Sequence, residues 1–189
     1  MNIEYFNKLD HTNTTGIFIK NDEIEERVCE TKHFVFLKHK GNNKIFVETG
    51  THLGGGIANA FAVGFETMHS IEIMEEHHTY AKNRWKDKKN VNLYFGPTMN
   101  IIDEVLNQIS EPSFFWLDAH FHDSSATYAE LEKIKRHSIK THTILVDDIS
   151  LYFDKTQIEM ALLDINSNYI ISYEPTWRSS TDILVAKLP

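Results

Sequence analysis

Four side chains stand out for the chemistry they could do together. Asp118 and His120 lie in FFWLDAHFHD, and Asp147 and Asp148 lie in TILVDDI. Each group follows a short apolar run of the kind that forms a buried strand. Two neighbouring strands ending this way would gather three carboxylates in one crevice. Carboxylates that close repel one another unless a cation binds or a proton is shared. Hard oxygen donors suit Mg²⁺, Mn²⁺ or Ca²⁺, so Asp118, Asp147 and Asp148 are candidate metal ligands. His120 is either a fourth ligand or a base, because imidazole titrates near neutrality. His122 is equally well read as a surface histidine. A lone Asp at a loop start is most often a helix cap or turn former. The repetition at two strand ends is what points to metal or catalysis.

A second stretch, FVETGTHLGGGIANAFAVGF (46–65), carries few side chains where a chain turns. Glu48 and Thr49 close the strand, Gly50 starts the turn, and Gly54, Gly55 and Gly56 lead into an Ala-rich segment. Glycines let the backbone approach a ligand with no Cβ in the way. The plainer alternative is a tightly packed helix entry. Gly50 is followed by Thr51 and His52, so the spacing is not G-x-G-x-x-G, and no G-K-[ST] is present. Both absences argue against a nicotinamide dinucleotide and against ATP. Glu72 ends the next strand, in HSIEI. A carboxylate there can accept hydrogen bonds from both ribose hydroxyls. Alternatively it joins Glu75 and Glu76 as an acid favoured by a helix N-terminus.

These residues need elements to position them, and the chain alternates accordingly. Strands are expected at 44–49, 67–73, 91–95, 113–117 and 143–146, with helices at 55–63, 75–88, 98–109, 125–136 and 155–165. Two further strands, 169–173 and 182–187, are separated by EPTWRSST. That link suffices for a hairpin but not for a parallel crossover, so the last strand should run antiparallel. The expected fold is α/β: a Rossmann-like, seven-stranded, mostly parallel sheet with helices on both faces and one antiparallel C-terminal strand. Residues 1–43 read as an N-terminal extension and helix. In it, 1–21 form a polar lead-in, and a helix from Asp22 places Ile24, Val28, Phe34 and Leu37 on one side. Residues 44–189 read as the ligand-binding domain, within a single domain overall.

Composition sets limits. A net charge of −8 opposes general nucleic-acid binding, which needs a basic face. The Lys82–Lys89 cluster reads as a solvated helix face. One cysteine, Cys29, allows no internal disulfide and reads as a small hydrophobe. MNIEYFNKLD does not look like a signal peptide, and no apolar run approaches the roughly 18 residues that span a bilayer. No membrane partner is expected, and the expected compartment is the cytoplasm.

Taken together, the acid–Gly loop after the first strand, the acid after the second and the C-terminal hairpin resemble class I S-adenosylmethionine-dependent methyltransferases. Within them, ETGTHLGGG looks like the E-x-G-x-x-x-G-G loop of the macrocin-type sugar O-methyltransferases. LDAH and VDD look like that family's metal-holding carboxylates. The resemblance covers roughly residues 44–187. It implies that Glu48, Thr49, Gly50, Gly54 and Gly55 shape the methionine end of an S-adenosylmethionine site and that Glu72 binds ribose. It also implies that Gly96 and Thr98 lie near adenine, and that Asp118, Asp147 and Asp148 hold Mg²⁺ or another divalent ion. Two departures are visible. Gly96-Pro97-Thr98 lacks the acid that often follows that glycine, and His120 stands where the family often has an acidic base.

The expected reaction is O-methylation of a small-molecule hydroxyl, a sugar among the candidates. A divalent ion on Asp118, Asp147 and Asp148 would chelate and position the acceptor, and His120 would take its proton. Tyr173, Trp177 and Arg178 either line the acceptor side or form a solvated hairpin tip. Other functions compete. One is a non-catalytic S-adenosylmethionine-binding module or subunit; another is a metal-dependent hydrolase or hydroxylase built on the Asp/His cluster. The oligomeric state is not readable from sequence.

Overall fold

The computed structural model describes residues 2–4, 16–21, 24–120 and 124–189. His122 and Asp123 lie outside them, as does most of the HTNTTG segment. Three strands come first: β1 (Asn2–Glu4), β2 (Gly16–Asn21) and β3 (Ile24–Cys29), paired antiparallel as a separate small sheet. This corrects the expected helix from Asp22. GIFIKN and IEERVC pair residue for residue, from Gly16 opposite Cys29 to Asn21 opposite Ile24. Ile17 and Ile19 of GIFIKN alternate with a two-residue period, which suits a strand better than a helix.

Helix α1 (Glu30–His39) begins where the strand ends. Its inward face carries Val35, Phe36 and His39, whereas Phe34 and Leu37 are 48% and 56% exposed. The expected apolar face was therefore the wrong one. Phe36 decides the orientation, because its ring packs among Phe46, Phe114 and Trp116 at centroid distances of 5.0–5.4 Å.

The main body alternates as expected: β4 (Ile45–Thr49), α2 (Gly55–Ala62), β5 (Thr67–Glu72), α3 (Glu75–Trp85), β6 (Val91–Phe95), α4 (Thr98–Leu106), β7 (Phe114–Leu117), α5 (Ser125–Arg136) and β8 (Thr143–Val146). A short helix, α6 (Ile149–Tyr152), was not expected. It precedes α7 (Lys155–Ile165), β9 (Ile170–Glu174) and β10 (Ile183–Lys187). The seven-stranded sheet has the order β6-β5-β4-β7-β8-β10-β9. The β4–β8 group pairs parallel, and β10 runs antiparallel to both neighbours, as its short link requires.

Both sheet faces are covered, which explains the unbroken apolar runs. Successive residues of a strand point to opposite faces. Phe46, Phe114, Trp116 and Leu145 join a core with Ile57, Ala81 and Trp85. Val47, Phe115, Leu117 and Val146 join another with Ile102, Leu131 and Leu162. Among the described residues no helix is long and apolar enough to cross a membrane.

Candidate active site

Strand register lines up the chemistry. Thr49 pairs with Ile71 and Leu117, and Leu117 pairs with Val146. The next residues, Gly50, Glu72, Asp118 and Asp147, therefore emerge side by side at the carboxyl edge. Asp118 N–H still donates to Thr49 O at 3.1 Å, and Asp147 N–H to Leu117 O at 3.1 Å, so the ladder holds the tips rigidly. Connections leave β4 and β7 in opposite directions across the sheet, which is where open α/β sheets leave a ligand crevice.

Two glycines of the first loop have identifiable structural jobs. Gly50 has φ 85°, and a Cβ there would sit 2.6 Å from Asp118 O, so neither the conformation nor the space admits a side chain. At Gly56 a Cβ would meet Glu48 Oε1 at 1.6 Å. The helix entry thus closes directly onto the Glu48 carboxyl. Burial pushes that carboxyl up to about 8, against the Ser70 hydrogen bond and Lys32, which pull it down. Ser70 Oγ donates to Glu48 Oε2 at 2.6 Å and lies 2.6 Å from Thr51 Oγ1. Glu48 is a buried scaffold of the loop.

A cavity of about 590 Å³ opens over this edge. Glu48, Gly50, Gly55, Glu72, Thr98, Asp118 and His120 line it. Thr49, Gly54 and Gly96 do not. Thr49 is fully buried and donates to Glu130 Oε2 at 3.2 Å. The open side of Gly54 faces Trp85, and Gly96 N–H donates to Glu72 O at 2.9 Å. Glu72 is fixed by two backbone donors: His52 N–H to Oε2 at 2.6 Å and Met74 N–H to Oε1 at 2.7 Å. Each oxygen keeps accepting capacity for a ligand hydroxyl. Ile73, Met74 and His77 add a largely apolar wall beside it.

The acidic crevice divides differently from the expected aspartate trio. His120 Nε2 lies 3.5 Å from Asp118 Oδ1 and 3.3 Å from Asp148 Oδ2. One donor atom each from Asp118, His120 and Asp148 fall within 4.8 Å of one another. Ligand atoms about 2.3 Å from a common ion lie at most about 4.6 Å apart, so these three fit a divalent cation after a small side-chain shift. Asp147 stands behind them and accepts Asp148 N–H at 2.9 Å.

A second grouping joins Asp147, Asp148 and Asp182. Asp182, however, is already saturated by Ser150 N–H and Oγ–H, Thr176 Oγ–H and Arg178 Nε–H. It anchors the hairpin. Arg178 also pairs with Asp148, which draws the β9–β10 link onto the crevice.

Burial lowers the pKa of His120, with Asp118, Asp147 and Glu130 opposing it. The ring is therefore held neutral, enclosed by Tyr152 and Phe153 with centroids at 4.9 and 5.7 Å. Burial raises Asp147, and the neighbouring Asp118 adds to that shift. His52 and Asp148 are the positive-φ non-glycine residues among those described, at 48° and 54°. Both sit on the tips that line this site, where held backbone strain tends to collect.

Two participants escaped the sequence reading. Lys32 of α1 reaches Asp118 Oδ2 at 2.6 Å, and nothing in its neighbourhood in the sequence signals an 86-residue reach. Glu130 looks like an ordinary acid on an amphipathic helix, yet it is fully buried behind the cavity. Burial lifts it to about 7 against hydrogen bonds from Thr98 and Thr49.

No protein-family model matches the sequence, and no curated protein matches it. Solved structures do. The chain is similar to an SAH-bound Podospora anserina methyltransferase, with 12% identity, TM-score 0.59 and coverage of 89% of this chain and 81% of that one. It is similar to an SAH-complexed Bacillus cereus O-methyltransferase, with 14% identity, TM-score 0.58 and coverage of 84% and 79%. It is also similar to a Streptococcus thermophilus rRNA methylase, with 15% identity, TM-score 0.54 and coverage of 88% and 99%. At these identities the likeness establishes architecture: the chain has the class I methyltransferase fold.

Proposed function

We propose that the chain is an S-adenosylmethionine-dependent O-methyltransferase acting on a small-molecule hydroxyl, with a divalent cation held by Asp118 and Asp148 and His120 left free beside them as the base. The observation that carries this reading is the meeting, in one crevice, of a glycine-shaped loop, a ribose-type carboxylate and an Asp/His cluster. A dehydrogenase would leave the cluster idle, and a hydrolase would leave Gly50 and Glu72 without a task. The motifs ETGTHLGGG, LDAH and VDD support a sugar as acceptor through their likeness to the macrocin-type enzymes. The net charge of −8 supports a small molecule over nucleic acid, although an rRNA methylase shares the fold.

Bound cofactor supplies a methyl group activated on a sulfonium, and a bound divalent ion supplies Lewis acidity that lowers the acceptor's pKa. The remaining work belongs to side chains. Gly50, Thr51 and Gly55 offer bare backbone to the methionine end, and Glu72 accepts the ribose hydroxyls. Ile73, Met74 and Thr98 flank the base in place of the missing acid. Asp118 and Asp148 hold the acceptor oxygen's side of the crevice, so that attack is intramolecular in effect. His120, neutral at physiological pH, is the nearest group able to take the acceptor proton. Tyr152 and Phe153 keep water from it.

Calorimetric titration with SAH, with and without Mn²⁺, tests the reading. Saturable 1:1 binding in both series, with separate uptake of Mn²⁺, is expected. Cofactor binding without any metal uptake would favour the non-catalytic module instead.

A further inference from the structure

Lys32 has no task in the scheme above, yet it occupies the centre of the crevice. Its ammonium lies 2.6 Å from Asp118 Oδ2 and 3.8 Å from Asp147 Oδ2. It also stands 4.8 Å from the centroid of the Trp116 ring, whose Nε1–H donates to the same Asp118 oxygen at 3.2 Å. Asp118 thus holds Lys32 on Oδ2 and faces His120 with Oδ1.

We infer that Lys32 is a resident cation that opposes a divalent ion at the Asp118 carboxylate, so that metal uptake is favoured when its side chain swings away. The inference deepens the proposed metal site and rests on it. Charge favours exchange. Asp118 and Asp148 are already balanced by Lys32 and Arg178, so a doubly charged ion meets unbalanced carboxylate charge only once Lys32 has left. Geometry permits the exchange as well. The side chain is 25% exposed and lines the cavity, so a long flexible stem can carry its ammonium into water. The donor lies on α1, outside the strands that carry the carboxylates. Position of that helix and metal affinity are therefore linked.

The test is Mn²⁺ titration of the full chain as wild type, Lys32→Met, Lys32→Gln and Lys32→Arg, with circular dichroism and melting to verify folding. Removing the charge should tighten Mn²⁺ binding at least about tenfold, the scale on which groups around a metal site act, whereas Lys32→Arg stays near wild type. Equal or weaker binding by Lys32→Met and Lys32→Gln overturns the competition and leaves the metal site standing. No uptake by any of the four chains sinks the metal site and the competition together. A second readout uses wild type alone. Mn²⁺ should increase labelling of Lys32 by an amine-reactive reagent severalfold, read by peptide mass, and unchanged labelling counts against displacement.

Discussion

Asp118→Asn should lower methyl transfer roughly a thousandfold, because the loss combines metal positioning with alignment of the base, each worth several kcal/mol. SAH affinity should change by no more than about tenfold, the worth of one hydrogen bond. The separation follows from where the side chain sits. Its Oδ1 looks toward His120 and its Oδ2 toward Lys32 and Trp116, whereas the backbone beside Gly50 is fixed by the strand ladder. Asparagine preserves the volume and one acceptor, so Gly50 and Thr49 keep their neighbours. Turnover measured at saturating cofactor, beside calorimetry with SAH, separates the two effects. Turnover within tenfold of wild type would remove Asp118 from the reacting centre.

Glu72→Ala should have the opposite signature. SAH affinity should fall roughly a hundredfold or more, since hydrogen bonds to a charged acceptor contribute about 1.5–3 kcal/mol each and two to the ribose are lost. The same change releases His52 N–H and Met74 N–H, which Glu72 now holds at 2.6 and 2.7 Å. Both walls of the cavity loosen with it. The damage reaches past ribose recognition, so Glu72→Gln, which keeps one oxygen acceptor, should recover part of the affinity. Alanine and wild type binding SAH equally would show that the ribose lies elsewhere.

Most of the sheet was legible because its signals are local. KIFVET, VNLYF and TILV are short apolar runs bounded by turns, and the strands match them to within a residue. The antiparallel final strand followed from the length of EPTWRSST alone. The N-terminus was misread for a physical reason. Ile24 and Val28 stand four apart and imitate a helical face, while their actual partners, Asn21 for Ile24 and Ile17 for Val28, lie in another strand. Phe34 and Leu37 are likewise apolar without being buried, since the face of α1 is chosen by the aromatic cluster around Phe36.

The candidate site divides along the same line. Glu48, Gly50, Glu72 and Asp118 could be found because each marks a strand end. Lys32, Glu130 and Arg178 act across long stretches of chain, and their importance comes from the neighbours that folding supplies. Charge balance in the crevice is the part that local sequence could not give. The three aspartates suggested a cluster balanced by a divalent ion, whereas two basic side chains already sit on it.

Crystals grown with S-adenosylmethionine and Mn²⁺ provide the most direct measurement. The account predicts cofactor density over Gly50 with ribose hydroxyls on Glu72, the base between Met74 and Thr98, and the sulfonium methyl facing Asp118, His120 and Asp148. A cofactor bound with its methyl turned away from that cluster, or no cofactor at saturating concentration, would contradict it.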